Sequence, residues 1–156
     1  MTTATTAQIN YINSLRASRT LPDMDIAAKN IELCLDSVAR NAVASQATAI
    51  RAQLKEEGLR PLCDRERYDA RFEELYAPVF DAAKDTMRAR LESLAAEEAK
   101  KITFAMTVDL GTITKAEASK IIGMLKAPVM IFAVNGEQLG VRGILFGIDP
   151  QLFTLD

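Results

Sequence analysis

Glu66 and Asp69 form a Glu-x-x-Asp pair, the spacing that sets two carboxylates on successive helical turns, where they can share one magnesium ion. Nucleotide hydrolysis through such a pair needs a second acidic pair on a facing helix, and the sequence upstream supplies no Glu-x-x-Glu. The run Asp64-Arg65-Glu66-Arg67 alternates charge instead, as a solvated, salt-bridged helix start does. Magnesium-dependent nucleotide hydrolysis is therefore a minor alternative. The chain has no histidine, which removes Ser-His-Asp and Cys-His nucleophilic systems, two-histidine zinc sites and the Glu-x-x-His di-iron pattern. Gly140-Val141-Arg142-Gly143 lacks the Lys-Ser/Thr ending of a phosphate loop and reads as strand punctuation. We expect no catalytic residue, no metal site, no cofactor and no enzyme activity.

A second group of residues suits binding. Arg60, Arg65, Arg67 and Arg71 gather around one turn with Tyr68 among them, a composition that can touch phosphates and stack a base. This basic tip carries the alternative expectation of a nucleic-acid-binding accessory protein. The competing reading is ordinary helix-end charge, balanced by Asp64, Glu66 and Asp69. Just downstream, Tyr76, Val79, Phe80 and Met87 lie on one apolar seam that needs more cover than a single partner helix gives. They are the candidate contact surface for a second copy of the chain or for another protein.

The elements that position these residues follow from periodicity. A first helix is expected over 7–18, burying Ile9, Ile12 and Leu15. Pro22 breaks the chain, and Asp23 caps a helix running unbroken from Met24 to Glu57, roughly 50 Å long, which Gly58 ends. A third helix, capped by Asp64, runs from Arg65 to about Lys100, with Pro78 kinking or dividing it. Together 24–100 reads as a long antiparallel helical hairpin. Beyond it, Ile102, Phe104, Met106, Val108 and Leu110 alternate with smaller residues, the pattern of a half-buried strand. A capped helix over 115–126, stopped by Pro128, is followed by an apolar strand at 129–134. Asn135-Gly136 then reads as a hairpin turn, with a returning strand over 139–148. The expected fold is α+β and mainly helical: one domain over 1–156, with a β-α-β-β subdomain at 102–148 packing against helix 7–18.

Two helix starts in this scheme share a signature. Thr5 with Gln8, and Thr114 with Glu117, each form a capping box ahead of an apolar stripe. Thr5, Gln8, Tyr11, Ile12 and Leu15, with Ile113, Thr114, Lys115, Glu117, Ala118, Ser119, Ile121, Ile122 and Leu125, resemble the two halves of a helix-pair motif. That motif is found in small actinobacterial and bacteriophage proteins, some of them associated with DNA transactions. In those proteins the halves are close together. Here they are far apart, so either the hairpin is inserted into the pair or the first half matches by chance. The resemblance implies a phage or mobile-element origin, and an accessory or inhibitory role beside a host defence or DNA-processing complex.

The bulk properties agree with an interaction protein. The chain has 156 residues, 49% hydrophobic, with 19 basic against 21 acidic side chains, so no overall basic excess advertises nucleic acid. Cys34 and Cys63 are too few for a disulfide framework and read as buried thiols. The N-terminus lacks the basic and apolar regions of a secretory signal, and the apolar run 127–134 is too short to span a bilayer. A cytoplasmic homo-oligomer that binds a protein partner away from the membrane is the expectation, with nucleic acid as the second class of partner.

Overall fold

Asp23 opens the central helix by accepting a hydrogen bond from the Asp25 N–H at 2.9 Å, and from there an Ile31–Leu35–Val38 stripe at helical spacing sinks into the core. The computed structural model describes residues 2–126 and 129–155. Its helices are α1 (Thr6–Ala17), α2 (Met24–Ala42), α3 (Ala44–Glu56), α4 (Arg65–Thr107), α5 (Lys115–Lys126) and α6 (Gly136–Ile144). Two 3-10 turns, Met130–Phe132 and Pro150–Phe153, complete the regular structure. The expected α+β class is wrong: among the described residues the one extended pairing is an isolated antiparallel bridge between Thr3 and Thr114. The fold is all-α, and the β-α-β-β subdomain at 102–148 does not form.

Each misassigned strand has a local cause. Over 102–110 the chain prolongs α4 to Thr107. The residue that reaches the core is the small Ala105, with Ile102 and Met106 half-buried at helical spacing, while Phe104 turns outward and is 51% exposed. Residues 129–134 make a 3-10 turn whose carbonyls are taken by a side chain: Asn30 donates through Nδ2 to Ile131 O at 2.8 Å and to Ala133 O at 2.9 Å. Asn135-Gly136 starts α6 instead of a hairpin, with Leu139 N–H donating to Asn135 O at 3.1 Å. Gly140 and Gly147 adopt left-handed φ of 70° and 85°, which breaks α6 and ends the turn after it. Pro128, expected to stop α5, lies outside the described residues.

The hairpin also departs from expectation in detail. The single helix expected from Met24 to Glu57 is broken at Val43, whose φ/ψ of −107°/16° separates α2 from α3. Pro78 does not divide α4, which runs 43 residues through it. Gly58, at φ 79°, ends α3 as expected. Asp64 precedes α4 without a side-chain cap and accepts instead from Arg60 N–H at 3.1 Å.

α4 lies antiparallel to α2 and α3, and on the surface of this packing ion pairs join Arg88 to Glu32 (2.9 Å) and Lys84 to Asp36 (3.0 Å). Arg71 repeats the pattern with Glu57 (3.1 Å) near the hairpin turn. The main core holds α2 and the second half of α4 through Ile31, Cys34, Leu35, Met87 and Leu91, roofed by Ile131 and Ile144. A second core joins α1, α5 and the end of α4 around Ile12, Ala105, Ile121 and Leu125. Cys34 is buried, which pushes its thiol up to about 11, whereas Cys63 is exposed on the hairpin turn; both are free, so only one of the two expected buried thiols is buried.

The Arg88 guanidinium holds the Glu32 carboxyl below the ordinary carboxylate range, and Lys84 does the same for Asp36. Both carboxyls are depressed on folding, so their contribution is full above the unfolded carboxylate pKa and is lost as pH falls through the lowered folded one. Urea midpoints measured from neutral pH into acid are expected to fall less steeply for Glu32→Gln/Asp36→Asn than for the parent. An identical slope would remove these pairs from the pH dependence.

Candidate functional site

Two regions stand apart from the main core: a clasp formed by α1 and α5, and an arm formed by α3 and the first half of α4. In the clasp both capping boxes are made. Gln8 N–H donates to Thr5 Oγ1 at 3.1 Å and Thr5 N–H to Gln8 Oε1 at 3.0 Å. Thr114 N–H donates to Glu117 Oε2 at 2.7 Å and Glu117 N–H to Thr114 Oγ1 at 3.2 Å. The two helix starts are also bonded to each other. Gln8 Nε2 donates to Lys115 O at 3.2 Å and Ser119 Oγ at 3.3 Å. On the backbone, Lys115 N–H donates to Thr2 O at 2.8 Å and Ala4 N–H to Ile113 O at 3.0 Å. Arg16 fastens the same unit to the end of α4, donating to Ala105 O at 2.9 Å and Val108 O at 2.8 Å, the carbonyls a helix C-terminus leaves without partners. On its outer side α5 exposes Lys115, Lys120 and Lys126, with the Lys126 ammonium 6.0 Å from the exposed Tyr11 ring.

In the arm, Phe72, Tyr76 and Phe80 stack in succession along α4 at centroid distances of 5.1 and 5.7 Å, and Arg51 of α3 lies 5.4 Å over Phe72. Tyr76, Val79 and Phe80 pack onto Ala39, Val43 and Ala83 at the arm's base, with Leu155 against the same cluster. Every one of Tyr68, Phe72, Leu75, Tyr76, Val79 and Phe80 is only half-buried, and no residue of α4 before Ala83 is buried. The cause is geometric, because beyond the arm's base α3 is the helix that faces this half of α4, and one helix cannot span a stripe that wide. Met87, grouped with Tyr76, Val79 and Phe80 as a surface contact, is instead fully enclosed by α2 and unavailable to a partner.

At the hairpin turn the arginines are spaced among acids. Arg71 is held by both Glu57 (3.1 Å) and Glu74 (3.0 Å), which raise its affinity for the proton, and Arg65 faces Asp69 at 3.9 Å. Arg60 and Arg67 are exposed and Tyr68 is half-buried. The structure thus brings the five residues to one end of the molecule but surrounds them with compensating carboxylates. Glu66 and Asp69 are exposed on the first turns of α4, and among the described residues no group of three or more cysteines and carboxylates is arranged to hold a metal ion. No helix among the described residues is long and apolar enough to cross a membrane. Comparison with family models, with curated proteins and with solved structures finds no match to this chain.

Proposed function

We propose that this chain is an interaction protein without catalytic chemistry, and that it pairs with a second copy of itself along the arm. One observation supports this reading above the others: α4 carries six large apolar or aromatic side chains between Tyr68 and Phe80, none of them buried. Half-covered aromatic stripes of this kind gain about 25 cal/mol for each Å² of apolar surface a partner removes from water. A two-fold pairing supplies a matching stripe without requiring any other molecule. The motif resemblance extends the proposal to an accessory or inhibitory role beside a host defence or DNA-processing complex.

Light scattering across a concentration series is the test. We expect a particle of twice the 17.1 kDa chain mass. Leu75→Glu and, separately, Tyr76→Ala are expected to return it to one chain mass while helical circular dichroism is retained. A parent protein that stays at one chain mass at every concentration overturns self-pairing.

A further inference from the structure

The charge of this chain is segregated. Residues 2–20 and 104–126, which build the clasp and the segment leading into it, hold five cations against two carboxylates. The remainder holds fourteen against nineteen. One of the two clasp carboxylates, Glu117, is engaged with the Thr114 N–H. Arg16 is committed to the end of α4, but Lys115, Lys120 and Lys126 form no ion pair among the described residues. They share the exposed side of α5 with Ala116, Ser119 and Gly123, small residues that leave the lysines standing clear. Lys126, in the last turn of α5, complements the helix dipole, but Lys115 and Lys120 have no such role. A cation at Lys115, in the first turn of α5, opposes the helix dipole, and the three ammonium groups repel one another.

Aromatic rings flank these cations on both sides. Tyr11 is 43% exposed with the Lys126 ammonium over its ring, and Phe104 is 51% exposed in a groove shared with Lys120, Ile113 and Met124 and with the carboxylates Asp109 and Glu117, the latter already held by the Thr114 N–H. Cations that follow a phosphate backbone, with aromatic faces set beside them for unstacked bases, are the pattern of single-strand binding. An acidic protein surface would use the lysines but leave both rings idle.

We infer that the outer face of α5, with Tyr11 and Phe104, binds single-stranded nucleic acid. The site is at the opposite functional region from the arginine-bearing hairpin turn, and it does not depend on pairing through the arm. The phosphates lie along Lys115, Lys120 and Lys126, and bases stack on Tyr11 and Phe104.

Fluorescence anisotropy with a labelled oligothymidylate, over a salt series, tests the assignment in the full-length protein. The parent is expected to bind at low salt and weaken as salt rises. Lys115→Gln/Lys120→Gln/Lys126→Gln is expected to lose at least about tenfold in affinity and to flatten the salt slope by about 2, as three fewer phosphate contacts require. Tyr11→Ala is expected to lose about tenfold with the slope unchanged. Arg60→Gln/Arg65→Gln/Arg67→Gln removes the same charge from the hairpin turn and is expected to bind as the parent does. Circular dichroism confirms that each variant is folded. Absence of binding at low salt overturns the inference. So does an equal loss in the arginine variant, tighter binding of a duplex of the same length, or polyglutamate binding as tightly as the oligonucleotide.

Discussion

Gly136→Ala is expected to lower stability by about 3 kcal/mol, although it places a better helix former in the first turn of α6. A methyl group at this position would run into the Asn30 carboxamide, overlapping its oxygen and coming within 2.7 Å of its carbon. Asn30 is 3% exposed and is the one buried polar side chain among the described residues. Pushing it aside breaks its bonds to Ile131 O and Ala133 O and leaves two carbonyls without their donor beneath α6. Gly123→Ala provides the contrast, because its added methyl group meets nothing within 4 Å in the middle of α5. That substitution is expected to stabilise by up to about 1 kcal/mol. Urea unfolding of the two variants should shift in opposite directions. A neutral Gly136→Ala would mean that α6 and the 129–134 segment are not held through Asn30.

Met87→Ala is expected to cost about 3 kcal/mol, the range for a buried side chain whose cavity the neighbours only partly fill. Met87 has no exposed surface and sits between α2 and α4 with Leu35 and Leu91. The same substitution should leave the particle mass in solution unchanged under conditions where the chain remains folded. Tyr76→Ala is the reverse case, altering mass more than unfolding. If Met87→Ala dissociated the particle while leaving the urea midpoint in place, the division between core and arm drawn along α4 would be wrong.

The contrast between Met87 and Tyr76 shows where sequence reading reaches its limit. Both lie on one uninterrupted apolar seam, and nothing in that seam marks where cover stops. The boundary is set by α2, which ends at Ala42, so that beyond Ala39 and Val43 the first half of α4 faces α3. Local signals are the most legible: Asp23 caps α2, Gly58 ends α3, and the paired boxes at Thr5 and Thr114 form, although Asp64 precedes α4 without a side-chain cap. Residues 102–110 failed because alternation of large and small residues fits two periods, and Ala105, too small to mark a strand face, was the core position. Residues 129–148 failed because their partner is remote. Asn30 is a polar residue that reads as solvent-facing, and only the fold brings it to Ile131, 101 residues away. The lysines of α5 were visible in the sequence as a local excess of positive charge, hidden by a net charge of −2 over the whole chain.

The bonds between the two helix starts join Gln8 to Lys115, residues 107 apart. During synthesis α1 emerges long before α5, the helix it packs on most. At about 5–20 residues per second the interval is about 5–20 s. Until the end of α4 supplies Ala105 and α5 supplies Ile121 and Leu125, Ile12, which is fully buried in the finished molecule, lacks its core, while α2, α3 and most of α4 can already pair among themselves. Closure of the clasp is therefore a late and strongly non-local event in assembly. A nascent chain stalled before α5 would carry a finished arm and a leading helix held only through the end of α4.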